Sequence, residues 1–249
     1  MCGGAYYENA CLLQWLVMPT IALFDIDGTL LSAGGAGRRS VEIALEEVLG
    51  SPEGSVSLDS VEFAGRTDPW IVRAALMGFG VVADDEIVAE VLRRYAFHLP
   101  RQLEIAAAFE VLPSVLAILS ELSERDHIIL GLGTGNTEPA AYAKLAHGAL
   151  DSFFPFGGFG SDHTERAELL RVGLKRGLQR AGVEREDANV MVVGDTPHDV
   201  TAAAAIGAQC IAVATGSYDA PALQAAGAAL VVSQLGCPEV RDAFDGVGC

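Results

Sequence analysis

Ile21-Ala22-Leu23-Phe24-Asp25-Ile26-Asp27-Gly28-Thr29-Leu30 runs four apolar residues into two aspartates at alternate positions and then into Gly28-Thr29. An apolar run that empties into acidic and turn-forming residues predicts a buried strand ending in a polar loop. One intervening residue places both carboxylates on the same side of the strand end, where like charges are costly unless a cation compensates them. Mg2+ suits that task, because it prefers oxygen ligands and keeps positions open for phosphate oxygens. Paired acids at a strand end also serve as a turn and a helix cap, so this pair alone leaves both readings open.

The same pattern recurs further along the chain. His127 to Leu132 is a short apolar run that ends in Gly133-Thr134-Gly135-Asn136, and Val190 to Val193 ends in Gly194-Asp195-Thr196-Pro197-His198-Asp199. Helical spacing is expected over 113–125, 138–149, 166–181 and 201–207, a strand at 210–214, and a last helix and strand over 221–232. Repeated strand-helix-strand units predict an α/β chain with a Rossmann-like parallel sheet and helices on both faces. Such sheets bind ligands at the carboxyl ends of their strands, and Asp25, Asp27, Thr134 and Asp195 all stand at such ends. Asp199 points into the same volume if the loop turns into a helix at Pro197, adding a further hard oxygen ligand. Glycines at 131, 133 and 135 invite a dinucleotide reading, but Asn136 stands where the third glycine belongs and no acidic ribose partner follows. A hydroxyl and backbone N–H groups at a strand end suit phosphate oxygens instead. Gly216, Ser217 and Tyr218 follow another strand end and are expected to line the cleft.

Between the first and second of these units lies a block without comparable strand signals. Leu31 to Gly37 is rich in glycine and reads as a mobile hinge. Arg38 to Leu49 has apolar residues at 41, 44, 45, 48 and 49, the spacing of one buried helical face. From Val61 to Phe109 the pattern stays helical, clearest over 68–77 and 84–97, with Asp68 as a capping acceptor before Pro69. This block reads as an all-helical insertion.

Asp25-Ile26-Asp27-Gly28-Thr29 resembles the first motif of the haloacid dehalogenase superfamily, most of whose members are Mg2+-dependent phosphatases. The resemblance implies that Asp25 is the nucleophile that carries the phosphoryl group and that Asp27 is the general acid and then base. Thr134 is similar to the second motif, which assigns it to the phosphate, helped by Gly135, with Asn136 fixing the loop or touching substrate. Asp195 and Asp199 match the fourth motif, in which the first ligates Mg2+ and the second ligates it or orients a bound water. Asp25 and the Asp27 backbone carbonyl complete that set. The chain departs from the family at its usual lysine, since Lys144 and Lys175 both read as helix-surface residues. Arg166, after Gly160-Ser161-Asp162-His163, resembles a subgroup in which arginine takes that place, and it keeps the charge while changing the geometry. Asp162 and His163 are expected to cap the helix or brace the loop.

The helical block corresponds to the family's cap domain. The resemblance therefore divides the chain into a core of 19–33 and 110–249, a cap of 34–109, and a leader of 1–18 to which no function is assigned. Gly65-Arg66-Thr67-Asp68 resembles a cap loop of phosphoglycolate-phosphatase-like members that points at substrate. Arg66 is thus expected to contact a second anion, although a helix-capping turn with a solvated arginine remains the other reading. Arg38 and Arg39 have the same chemistry near the hinge. His98 is expected to be a surface or packing residue, and His147 a helix cap.

The formal charge of -17 argues against a nucleic acid backbone or an anionic membrane as partner. Cys2, Cys11, Cys210, Cys237 and Cys249 are odd in number and lack close metal-ligand spacing, which favours a reducing compartment. No transmembrane run occurs. The expectation is a cytoplasmic monomer or homodimer acting with Mg2+ on a small phosphorylated metabolite, phosphoglycolate being the specific candidate. Three rivals stay in view. A 2-haloacid dehalogenase shares the nucleophile but resembles proteins that lack the second aspartate, so Asp27 argues against it. A phospho-receiver signalling domain is about half as long and has no helical insert. The third is a non-catalytic ligand-binding protein with an idle site.

Overall fold

The structure, a computed structural model, describes residues 18–246. The strands are β1 (Thr20–Phe24), β2 (Leu31–Ala33), β3 (Phe109–Val111), β4 (Ile128–Thr134), β5 (Gly157–Phe159), β6 (Asn189–Gly194), β7 (Gln209–Val213) and β8 (Leu230–Val232). The helices are α1 (Ala36–Leu49), α2 (Asp68–Gly78), α3 (Asp85–Ile105), α4 (Val115–Ser123), α5 (Glu138–His147), α6 (Arg166–Ala181), α7 (Pro197–Ala205), α8 (Ala220–Ala225) and α9 (Pro238–Asp245). Six strands form one parallel sheet in the order β5-β4-β1-β6-β7-β8, as the α/β reading expects.

β1 lies near the middle of that sheet and is buried along its whole length, which is what a strand covered on both faces demands of its sequence. Alternate residues face opposite layers. Ala22, Phe24, Leu130, Leu132, Met191 and Val193 pack with α4, α5 and α9 on one side. Ile21, Leu23, Val190, Val192, Cys210 and Ala212 pack with α6, α7 and α8 on the other. Phe24 is in register with Leu132 and with Val193, so the loops after β1, β4 and β6 begin side by side.

The helical insertion leaves after β2 and returns at β3, and these two short strands pair antiparallel as a ribbon. Leu31 to Gly37, expected as a hinge, comprises β2, a tight turn at Gly34 and Gly35, and the first residues of α1. Gly34 and Gly35 take the left-handed backbone, φ 58° and 85°, that swings the chain into α1. Residues 61–67 are irregular rather than helical, and Thr67 rather than Asp68 is the N-cap of α2. α3 runs on through Pro100 to Ile105, within the helical pattern expected up to Phe109. Pro100 removes one backbone donor, but the buried series Val88, Val91, Tyr95, Leu99 and Leu103 continues across it, and that apolar face outweighs the lost bond. α3 packs on α1 and on α5 of the sheet body, and one hydrophobic cluster runs without a break through both. The leader expected at residues 1–18 lies, except for Met18, outside the described residues.

α6 comes close enough to β5 that glycine is needed at the contact. A Cβ on Gly158 would lie 1.9 Å from the Leu169 carbonyl oxygen and 2.8 Å from the Gly173 nitrogen, both backbone atoms that cannot move aside alone. Gly158→Ala is therefore expected to lower the unfolding free energy by about 1–3 kcal/mol, the usual cost of overpacking, as read from a urea titration.

Candidate active site

The strand register decides where the acidic residues meet. Asp25 follows β1 and donates its backbone N–H to the Val193 carbonyl at 2.8 Å, while Asp195 follows β6 and Thr134 ends β4. Asp25, Asp27, Asn136, Arg166 and Asp195 line one cavity of about 450 Å3 between the sheet edge and the helical insertion. Gly135, Arg66, Gly216 and Ser217 line it too. Thr134 is fully buried behind its loop, where its hydroxyl accepts from Asn136 Nδ2 at 2.9 Å.

Arg166, the first residue of α6, lies between two carboxylates. Its Nη2 is 2.6 Å from both Asp25 Oδ2 and Asp199 Oδ1, and its Nε donates to Asp199 Oδ1 at 2.7 Å. The other Asp199 oxygen accepts from the Thr196 N–H at 3.0 Å and from the Thr196 hydroxyl at 2.7 Å, in a capping box that starts α7. Both oxygens of Asp199 are thus engaged within the protein, and its main contact is with Arg166. Burial alone would lower the Arg166 pKa, but Asp199 and Asp25 outweigh it and hold the guanidinium above its ordinary value. Burial, only partly offset by Arg166 and reinforced by Asp199, pushes Asp25 up to about 6. Asp195 is pushed up to about 8 by burial and then by Asp199 and Asp25.

Oxygens of Asp25, Asp195 and Asp199 all lie within 4.8 Å of one another. Three buried carboxylates against one guanidinium leave an excess of negative charge, and the donors are all hard oxygens. That donor set fits Mg2+, with Asp25 and Asp195 as the carboxylates least committed elsewhere. The walls are shaped for the Asp195 carboxylate. Gly28 has φ 80°, and a Cβ there would fall 2.4 Å from Asp195 Oδ2, while one on Gly216 would fall 1.7 Å from it.

The opposite wall holds a residue that the sequence reading misplaced. Lys144 is not on a helix surface; its side chain is 5% exposed, and its Nζ lies 2.6 Å from Asp27 Oδ2 and 2.6 Å from Asn136 Oδ1. Asn136 Nδ2 also donates to Asp27 Oδ2, at 2.8 Å, so Asn136 fixes the loop. The signal was available, because Lys144 shares the buried face of α5 with Ala140, Ala141 and Leu145, an unusual place for a lysine. Lys175 is exposed, as expected.

Asp68 was also misread as a simple cap. It is buried, its Oδ2 accepts the Thr137 N–H at 2.7 Å, and its own N–H donates to the Gly135 carbonyl at 2.8 Å. Burial pushes its pKa up to about 6 against the opposing pull of Lys144. These bonds tie the insertion to the loop after β4, and the Arg66 carbonyl rests where Gly135 lacks a side chain. Arg66 is among the residues that line the cavity, but its guanidinium is paired with Glu62 at 2.7 Å and lies over Trp70, 4.4 Å from the ring centroid. Arg38 lines the cavity as well, bonded to the Leu58 carbonyl and lying over Phe63. Arg39 turns to Glu42 and Glu46 instead. Asp162 braces its loop through Arg176 and the Phe159 N–H, and His163 accepts from the Glu165 N–H. His147 meets Phe109 edge-on, and His98 bonds Glu47 at 2.9 Å.

Comparison with known proteins places the chain in a family. The model of the haloacid dehalogenase-like hydrolases matches residues 19–207. A phosphoglycolate phosphatase of Rhodospirillum rubrum is 29% identical over 235 residues, 93% of this chain and 90% of the relative. Tyrosine-protein kinase PtkA of Mycobacterium tuberculosis is 27% identical over 228 residues, 91% of this chain and 72% of the relative. Among solved structures, CbbY from Rhodobacter sphaeroides in complex with phosphate shares the fold, with a TM-score of 0.65 at 18% identity over 90% of this chain and 100% of that one. No helix among the described residues is long and apolar enough to cross a membrane. With the family model spanning well over half of its length, this chain belongs to the haloacid dehalogenase-like hydrolases.

Proposed function

We propose that the chain is a Mg2+-dependent phosphomonoester hydrolase acting through an aspartyl-phosphate on Asp25. The observation that carries this is the Asp25 carboxylate, buried at the carboxyl end of a central strand, held 2.6 Å from Arg166 and facing a cavity whose other wall carries Asp27. Support also comes from the relatives named as phosphoglycolate phosphatases.

The chemistry then follows from the side chains. Asp25 attacks phosphorus, the bond from phosphorus to the ester oxygen breaks, and Asp27 gives that oxygen a proton. In the second half Asp27 takes a proton from water, whose oxygen attacks phosphorus and releases inorganic phosphate from Asp25. Arg166 neutralises Asp25 and the incoming phosphoryl group, and Asp199 holds the guanidinium in place. The backbone of the loop after Thr134 meets the phosphoryl oxygens, with the Thr134 hydroxyl behind it accepting from Asn136. Mg2+, held by Asp25, Asp195 and the Asp27 carbonyl, would neutralise charge on those oxygens as a Lewis acid. The helical insertion acts as a cap, tied beside the cavity by the contacts of Thr67 and Asp68.

The substrate class is a small phosphorylated metabolite in the cytoplasm, with phosphoglycolate the specific candidate. A substrate carboxylate would compete with Glu62 for the Arg66 guanidinium.

Asp25→Asn is expected to cut Mg2+-dependent hydrolysis by about a thousandfold or more at unchanged circular dichroism. Turnover within tenfold of the parent would remove Asp25 as nucleophile. Metal binding has its own readout in stability. The Asp195 pKa is raised in the fold, so its contribution is complete below about 4 and is lost as pH rises through about 8. The Tm of the metal-free protein should therefore fall between pH 5.5 and pH 8, and Mg2+ should raise it more at the higher pH. An Mg2+ effect equal at both pH values would contradict the assignment. Arg66→Ala should lower kcat/KM for phosphoglycolate by about 10- to 100-fold but change p-nitrophenyl phosphate turnover far less, since that ester has no carboxylate. Equal losses would make Arg66 structural.

A further inference from the structure

Lys144 has no part in the steps derived above, yet it is the least expected residue in the cavity wall. A lysine ammonium is rarely buried, and its burial is tolerated only when it is paired and hydrogen-bonded. Here the pairing is specific. Lys144 Nζ donates to Asp27 Oδ2 and to Asn136 Oδ1, both at 2.6 Å, and Asn136 Nδ2 closes the triangle on the same Asp27 oxygen at 2.8 Å. Asn136 is itself held by Thr134 at the end of β4, so the triangle is fastened to the sheet. Both bonds to Asp27 fall on Oδ2, and none within the described residues falls on Oδ1. The Asp27 side chain is 43% exposed, and nothing else among the described residues ties its carboxylate in one orientation.

We propose that Lys144 is a positioning residue for Asp27: anchored by Asn136, it grips Oδ2 and so presents Oδ1 to the oxygen of the leaving alcohol. The assignment rests on the hydrolase reading above. Lys144 transfers no proton itself. Asp27 Oδ1 delivers its proton as the bond from phosphorus to the ester oxygen breaks, and takes one from water in the second step. A carboxyl free to rotate would reach the leaving oxygen only part of the time, and the loss would appear in the step that needs the proton. An alkyl phosphate leaves as a strongly basic alkoxide and needs that proton, whereas p-nitrophenyl phosphate leaves as a stabilised phenolate and does not. A lysine that only balanced the charge of Asp27 and Asp68 would affect both esters alike.

The test measures kcat and KM with Mg2+ for p-nitrophenyl phosphate and for whichever of phosphoglycolate, glycerol phosphate and ethyl phosphate the parent hydrolyses best. Four proteins are compared: the parent, Lys144→Met, Asp27→Ala and the double variant. The expectation is that Lys144→Met lowers kcat for the alkyl ester by about 100-fold or more, with KM changed by less than about threefold and the aryl ester affected at least tenfold less. The double variant should lose no more on the alkyl ester than Asp27→Ala alone, since two residues acting through one step are not additive. Equal losses on the two esters, a change confined to KM, or additive losses in the double variant would each overturn the assignment while leaving the hydrolase reading intact. Should Lys144→Met not fold, the charge-balanced double variant decides: a further loss relative to Asp27→Ala overturns the role, and no further loss supports it. A parent that hydrolyses neither ester overturns the hydrolase reading, and this role with it.

Discussion

Asp25, Asp195 and Asp199 are buried around the single guanidinium of Arg166, and the electrostatic cost of bringing them together constrains everything around them. Like charges at this range in a poorly solvated site cannot all remain ionised without compensation, which is why burial and mutual repulsion push Asp195 up to about 8. The fold tolerates the crowding because it is rigid where the charges sit. β1 and β6 pair residue for residue up to Phe24 and Val193, a capping box holds Asp199, and Gly28 and Gly216 leave space that any side chain would take from Asp195. Such a site is poor at stabilising the protein and well suited to a divalent cation and a phosphoryl group. Hard oxygen donors and one fixed positive charge already stand where a phosphoryl group would bring more negative charge.

The second wall of the cavity depends on the helical insertion. Asp68 receives the Thr137 N–H, Thr67 bonds the Thr164 carbonyl, and the Arg66 backbone lies on Gly135. These contacts are polar and local, whereas the packing of α3 on α5 is apolar and extensive. The division of labour has a physical basis: apolar packing sets where the insertion sits, and the few hydrogen bonds at the Arg66 loop set how it meets the site. Asn136 belongs to both walls, because its amide joins the Thr134 loop to Asp27 and Lys144.

Much of this was legible in the chain itself. The apolar runs at 21–24, 128–132 and 190–193 ending in polar loops identified the central strands, and their spacing identified the helices between them. Asp25, Asp27, Thr134 and Asp195 could be named because each stands at the end of an apolar run, and such a pattern is a property of adjacent residues, whereas Arg166 was named only through its resemblance to a family subgroup. The two-residue alternation that separates Ile21 and Leu23 from Ala22 and Phe24 is local in the same sense.

Tertiary structure alone decided which partner each charge found. Lys144 was read as a solvated helix lysine because charge usually marks the wet face, although it shares the face of Ala140, Ala141 and Leu145, and the approach of the β1 loop then gave it Asp27 as partner. Asp68 matched the pattern of a cap before Pro69, yet its carboxylate serves a backbone donor 69 residues away. Arg66 was read as an open guanidinium, and Glu62 and Trp70 already occupy it. In each case the missing term is a contact between residues distant in sequence, whose energy depends on burial and distance, and neither exists until the chain has folded.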